Sequence, residues 1–334
     1  MPSLAEFFSR IWYGNSSLRW GLWPISVAYL GLARLRRTAY RRGWRPTVEA
    51  LVPVIVVGNV SVGGTGKTPF VIWLADQLKQ RGRKVGIVTR GYRGKGTVWP
   101  QPVTAQSDPQ EVGDEPVLLA RRTGCPVVAG PDRVACVEAL LAHTRVDVVL
   151  SDDGLQHYRL GRSFEIAVVD GARGMGNGLC LPAGPLREPA SRLQEVDAIV
   201  VNGGVWGHAG VFRATAVVTK VYNLKNGELR TLDSFRAEPV HAVAGIGNPQ
   251  RFFDLLLDAD LDVEAHPLHD HAEIGLEELR FEEPGAVLIT EKDTVKCEHL
   301  KPDGVWCVVV DFQFDADNTA RLMRLILRGI GARA

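Results

Sequence analysis

One segment limits what this chain can fold into more than any other: Val54-Ile-Val-Val-Gly58-Asn59-Val-Ser61-Val-Gly63-Gly64-Thr65-Gly66-Lys67-Thr68-Pro69. An apolar, β-branched run ends in a glycine-rich turn, and Phe70–Arg81 continues as an amphipathic segment. The order is strand, glycine-rich loop, helix, the context in which a phosphate-cradling loop has physical meaning. Glycines allow backbone N–H groups to turn inward, and the following helix N-terminus adds a dipole favourable to anions. Gly63, Gly64, Thr65 and Gly66 are the expected cradle, Lys67 can reach the β- and γ-phosphates, and the Thr68 hydroxyl can hold Mg²⁺. The pattern calls for glycine six residues before the lysine, where this chain has Ser61. The expectation is a nucleoside triphosphate site.

Downstream, apolar runs alternate with helical patterns. Lys84–Thr89, Pro126–Ala129, Val146–Leu150, Glu165–Val169 and Ala198–Val201 read as strands, and Glu115–Arg122 and Asp132–His143 as helices. The alternation predicts an α/β fold, a P-loop-type doubly wound, mostly parallel sheet with ligands at the carboxyl ends of its strands. A second, smaller α/β unit is expected from Phe212, with strands at Val240–Gly245, Val287–Thr290 and Val305–Val310 and a helix over Gln250–Leu257. The resulting division is 1–45 as an amphipathic, interfacial segment, 46–211 as the P-loop core, 212–312 as the smaller unit, and 313–334 as a helical segment packing back on the core. The proline- and glycine-rich loop Gly171–Arg192 is long for a compact domain and reads as functional or as a lid.

Composition narrows the partners. Hydrophobic content of 46% and charged content of 23% are those of a globular protein. A net charge of +1 offers no general attraction to nucleic acid. Five cysteines without C-x-x-C spacing suggest neither a disulfide framework nor a zinc site. At the N-terminus the apolar stretch Leu22–Ala33 is followed by Arg34, Arg36, Arg37, Arg41, Arg42 and Arg45. It is shorter than the ~20 residues a spanning helix needs. Packing on the protein and insertion at a leaflet surface are both open, and Trp12, Tyr13, Trp20 and Trp23 beside the arginines favour the leaflet.

Acidic groups supply the remaining chemistry. Val146-Asp-Val-Val-Leu-Ser151-Asp152-Asp153-Gly154 is an apolar strand ending in two carboxylates, the form of a Walker B element that holds Mg²⁺. Gln156 and His157 follow at the same strand end, where His157 is as well explained by a satisfied turn histidine as by catalysis. Asp114, in Val112-Gly-Asp-Glu-Pro116, reads first as a helix cap and second as a general base near the γ-phosphate. Arg90 and Tyr92, in Thr89-Arg-Gly-Tyr92, suit an anionic ligand, and Arg187 lies on a rigid proline-rich loop able to neutralise transition-state charge. His266-Pro-Leu-His269-Asp270-His271 offers three histidines; an Asp–His pair for proton abstraction is a better reading of it than a metal site.

Taken together, these segments resemble the tetraacyldisaccharide 4′-kinases of lipid A biosynthesis. The resemblance rests on Gly58–Pro69, Thr89–Tyr92, Val112–Pro116, Ser151–His157, Leu181–Pro189, Ala244–Pro249, Asp270-His271 and Thr290–Asp293, in that order along the chain. The deviation at Ser61 fits, because that family's P-loop is also atypical. The resemblance implies transfer of the γ-phosphate of ATP to the 4′-hydroxyl of a tetraacyldisaccharide 1-phosphate by a peripheral enzyme at the cytoplasmic face of the inner membrane. It implies phosphate and Mg²⁺ binding by Lys67 and Thr68, metal association by Asp152 and Asp153, and Asp114 as base assisted by His271. Arg90, Tyr92, Gln156, His157, Arg187 and Glu188 would line the site. Arg162-Ser163, where the family more often has Arg-Asp, and His269 are local departures. The competing reading is a membrane-associated nucleotide switch of the partitioning or metallochaperone type. Such loops carry an extra lysine five residues before the P-loop lysine, where this chain has Val62.

Overall fold

The computed structural model describes residues 4–270 and 272–331. Two helices, α1 (Leu4–Tyr13) and α2 (Leu18–Arg41), precede the glycine-rich segment. The first half of the fold then runs β1 (Val54–Gly58), α3 (Lys67–Gln80), β2 (Val85–Thr89), β3 (Gln101–Val103), α4 (Pro109–Val112), α5 (Asp114–Thr123), β4 (Val127–Ala129), α6 (Arg133–His143), β5 (Val148–Ser151), β6 (Phe164–Asp170) and β7 (Ala198–Asn202). A twelve-residue strand, β8 (Phe212–Asn223), comes next. The second half adds β9 (Leu229–Arg230), β10 (Val240–Ala244), α7 (Pro249–Leu257), β11 (Val263–Pro267), β12 (Ala286–Thr290), α8 (Glu291–Cys297), β13 (Val305–Gln313) and α9 (Ala316–Gly331).

The strands form one sheet in the order β11-β10-β12-β13-β8-β7-β6-β1-β5-β2-β4-β3, with β9 added beside β8. Apart from β3 against β4, β13 against β8 and β9 against β8, all pairings are parallel. The expected mostly parallel α/β architecture is therefore what the chain adopts. Its central strand β1 lies between β5 and β6 and is buried throughout, which is why it reads as a continuous apolar run instead of an alternating one.

β8 links the two halves. Phe212–Ala214 pair in parallel with β7, and Thr215–Asn223 pair antiparallel with β13, with a register shift between Val309 and Val310. The second half of the fold is thus an extension of the same sheet. After β13, α9 returns to bury Leu322, Met323, Ile326 and Ile330 in the core containing Ile55, Phe70 and Ile166.

Several elements lay outside the sequence expectation. β11 is an edge strand of mixed polarity, Val-Glu-Ala-His-Pro, whose terminal Pro267 is tolerated there but not in a central strand. α8 is short and starts at Glu291, with Thr290 accepting a hydrogen bond from the Asp293 N–H as its cap. Replacing Ile326 by alanine should lower stability by about 2–5 kcal/mol in urea unfolding, as expected for a buried aliphatic side chain. A change below ~0.5 kcal/mol would show that α9 is not docked.

Candidate active site

The glycine-rich loop between β1 and α3 is held from two sides. On one side, Val62 N–H donates to the Pro185 carbonyl (2.8 Å) and Arg187 N–H donates to the Val60 carbonyl (2.7 Å). Ser61, the residue that departs from the P-loop pattern, bridges to Leu186 in the same short ladder. An extended, β-like residue is needed there, and a glycine's extra freedom is not. On the other side, the loop after β10 closes over the cradle: a Cβ on Gly247 would lie 2.9 Å from the Gly64 nitrogen, so position 247 must stay without a side chain. Gly66 has φ +92°, and a Cβ there would lie 2.3 Å from Asn202 Nδ2. The same Asn202 Nδ2 donates to the Thr65 carbonyl at 3.1 Å, so the turn into α3 is fixed by contact as well as conformation.

Lys67, the first residue of α3, faces the end of β5. Its Nζ lies 3.5 Å from Asp153 Oδ1, and Arg187 Nη1 contacts both Asp153 oxygens at 3.1 Å. Burial alone would raise the Asp153 pKa, but Lys67 and Arg187 hold it well below the ordinary carboxylate range. Asp152 behaves oppositely. Its burial, together with the charges of Glu115 and Asp153, pushes its pKa up to about 7. Asp152 Oδ1 is buried without a hydrogen-bond partner, while the Asp152 carbonyl accepts from the buried Arg133. Thr68 stands one residue along α3 from Lys67. A hydroxyl and two carboxylates, one with an orphaned oxygen, are hard oxygen donors of the kind Mg²⁺ prefers.

Gln156 and His157 follow directly. Gln156 Nε2 donates to the Asn59 carbonyl and to Glu188 Oε2, both at 3.0 Å, joining the phosphate loop to the Leu181–Pro189 segment. The Tyr158 hydroxyl also donates to Glu188. Burial, then Arg133 and Arg90, lowers the His157 pKa to about 4, so the imidazole is neutral at physiological pH.

Asp114 is buried as the first helical residue of α5, where Gly113 occupies the N-cap position. One Asp114 oxygen accepts from the Glu115 N–H at 2.9 Å, and the other lies 3.9 Å from Lys296 Nζ. Lys292 Nζ bridges Glu115 (3.0 Å) and Asp270 (3.4 Å), bringing α5, α8 and the loop after β11 together. The basic loop after β2 joins them through Arg93, which donates to the Asp270 carbonyl at 3.0 Å. Arg90 stacks near the half-exposed Tyr92 ring, 5.8 Å from its centroid. His271, expected to assist Asp114, lies outside the described residues.

Lys292, Lys296, Asp293 and Arg133 were not among the expected site residues. Asp293 has a structural position, accepting from the Gly245 N–H at 2.9 Å and from Thr290 Oγ1 at 2.7 Å. The Thr290–Asp293 motif could have signalled this group, whereas nothing in the sequence around Arg133 distinguishes it from a solvated helix residue.

A phosphate loop opening α3, a carboxylate pair at the adjacent strand end and the cations facing them define a nucleotide-binding α/β protein of the P-loop class. The model of the tetraacyldisaccharide-1-P 4′-kinase family (LpxK) matches residues 18–328. A tetraacyldisaccharide 4′-kinase of Nitrosococcus oceani is 48% identical over 326 residues, covering 98% of this chain and 96% of the other. One from Alkalilimnicola ehrlichii is 51% identical over 313 residues, with coverage of 91% and 92%. Among solved structures, the "apo" form of LpxK from Aquifex aeolicus in complex with ATP superposes with a TM-score of 0.78 at 30% identity, covering 94% of this chain and 99% of that one. This chain belongs to the tetraacyldisaccharide-1-P 4′-kinase family.

The His157 environment makes a pH prediction. Its folded pKa of about 4 lies below the ordinary 6.5, so the unfolded chain binds more protons between these values. The contribution of the neutral imidazole to stability is complete above pH 6.5 and lost as pH falls toward 4. His157→Gln should therefore flatten the fall in unfolding free energy on acidification, by up to ~3 kcal/mol at pH 4. An acid limb identical to that of the parent protein would contradict this environment.

Proposed function

We propose that this chain transfers the γ-phosphate of ATP to the 4′-hydroxyl of a tetraacyldisaccharide 1-phosphate, the step that forms lipid IV-A. What carries the reading is the Lys67–Asp153–Arg187 cluster at the phosphate loop, in a chain of this family that also holds a buried carboxylate at Asp114. The cradle from Gly63 to Gly66, with Lys67 and the α3 N-terminus, binds the phosphates. Thr68, Asp152 and Asp153 would hold Mg²⁺, which shields the phosphate charge when bound.

When nucleotide enters, Lys67 and Arg187 exchange part of their pairing with Asp153 for phosphate oxygens and are already in place for charge developing in transfer. Asp114 takes the proton of the attacking hydroxyl. His271, the residue after Asp270 in the sequence, assists it. Arg90, Tyr92, Gln156 and His157 line the approach of the sugar phosphate, with His157 acting through its neutral form.

The substrate's site in a leaflet agrees with the N-terminal helices. α2 is attached along one edge: the Tyr29 hydroxyl donates to the Arg187 carbonyl at 2.9 Å, and Ser26 Oγ accepts from the Ala183 N–H at 2.8 Å. Elsewhere it exposes Trp20 (62%), Ile25 (58%), Leu32 (68%) and Leu35 (59%). No helix among the described residues is long and apolar enough to cross a membrane. Exposed apolar side chains beside arginines suit peripheral association with an anionic surface, here the cytoplasmic face of the inner membrane. The loop that carries Arg187 is thereby connected directly to the membrane-facing helix.

Labelled ATP incubated with the disaccharide lipid in detergent micelles should yield phosphorylated lipid; ATP hydrolysis without lipid product would overturn the assignment in favour of a nucleotide switch. Asp114→Ala should lower kcat about 10²–10⁴-fold while leaving ATP affinity nearly unchanged. A variant that only melts earlier would make Asp114 a structural helix residue. Trp20→Glu together with Leu32→Glu should abolish co-sedimentation with anionic vesicles, and undiminished binding would refute the anchor.

A further inference from the structure

On the face of the sheet opposite α7, at the far edge from the phosphate loop's half, His241, Glu264 and His266 converge. The strand register dictates this. In the parallel pairing of β10 with β11, His241 is opposite Glu264 and Val243 is opposite His266, so residues 264 and 266 project to one face beside His241. His241 Nδ1 lies 3.2 Å from His266 Nε2 and 3.2 Å from Glu264 Oε2, and His266 Nε2 lies 3.8 Å from Glu264 Oε1. Among the described residues this is the group of three whose possible ligand atoms all fall within 4.8 Å of one another.

We propose that His241 Nδ1, His266 Nε2 and the Glu264 carboxylate form a site for one divalent cation of the Zn²⁺ type. Ligands bonded at 2.0–2.1 Å in a tetrahedron are separated by about 3.3–3.4 Å. Two of the three separations here are within ~0.2 Å of that edge, and the third, from His266 to the other carboxylate oxygen, closes with a rotation of the largely exposed Glu264 side chain. Two imidazoles and one carboxylate, with a fourth position open to water, match borderline divalent ions better than Mg²⁺.

The surroundings prepare the imidazoles as ligands. His241 is buried, and its Nε2 lies 3.1 Å from the Glu283 carbonyl. Donation to that carbonyl fixes the tautomer with the lone pair on Nδ1, directed at the other two ligands, as in histidines whose second nitrogen orients a metal bond. The Phe281 ring stacks on both imidazoles, with centroids 4.2 Å from each, and holds their planes. Burial lowers the His266 pKa, which favours the neutral, ligating form. The bound ion would pin the edge strand β11 to β10 and to the segment carrying Phe281 and Glu283. Four residues beyond His266, that strand delivers Asp270 to the active-site cluster.

The test uses the full chain, stripped with a chelator and kept in excess Mg²⁺ so that the oxygen site at Asp152 and Asp153 is occupied. Calorimetric titration with ZnCl₂ should give one equivalent bound, Tm should rise with Zn²⁺ concentration, and Co²⁺ should give visible d–d absorption. Because losing even a partner one bond removed from a metal costs about 10–100-fold in affinity, Glu264→Gln and His266→Gln should each weaken Zn²⁺ binding by at least ~10-fold. Glu264→Gln, at an exposed position, should retain the fold and the parent's kinase rate measured without Zn²⁺. Absence of stoichiometric Zn²⁺ binding would overturn the proposal and leave the three groups a hydrogen-bonded cluster. Zn²⁺ affinity unchanged in Glu264→Gln would overturn it equally.

Discussion

The Asp153 carboxylate, shared between Lys67 and Arg187, is the interaction around which the rest of the candidate site is arranged. It ties three chain segments that are far apart in sequence: the start of α3, the end of β5 and the proline-rich loop. In this environment a carboxylate flanked by two cations stays ionised, while its neighbour Asp152, lacking such partners at Oδ1, is pushed toward the neutral form. One strand end thus offers two acids of different character, separated by environment and not by residue type. The short ladder from Val60 to Arg187 gives the cluster its geometry, because it sets the height of the arginine against the phosphate loop.

Much of this was legible in the sequence, for identifiable reasons. β1, β5 and β7 are buried on both sides, and a buried parallel strand is written as a near-continuous apolar run. The glycine spacing before Lys67 and the paired acids after β5 carried the nucleotide reading, and the set of motifs carried the family. What escaped was information held in pairing. β8 alternates weakly, and its role comes from having two different neighbours along its length. β11 has too little apolar content to announce itself, so its histidine read as part of a motif and not as a position in a ladder.

The site shows the same division. Lys67, Asp152, Asp153, Gln156, His157 and Arg187 each sit in a motif that is recognisable on its own, at a strand end, a helix start or a proline-rich loop. Lys292 and Lys296 reach Glu115 and Asp114 only because α8 packs on α5. Arg133 is recognisable only once its buried guanidinium is seen donating to the carbonyls of Gly130 and Asp152. Long-range partners of this kind leave no local pattern.

The continuous strand β8 has a mechanical consequence. Two lobes joined by a slack linker could swing apart freely, but here the lobe with the phosphate loop and the lobe with Asp270 are hydrogen-bonded to opposite stretches of one ribbon. Opening between them has to be absorbed as twist along that ribbon and its partner β13, where the ladder is already interrupted at Val309–Val310. α9 spans the same junction and anchors the far lobe to the first core. The fold therefore behaves as a spring clip, and the amplitude through which ATP and a bulky lipid headgroup gain entry is set by the stiffness of a β-sheet.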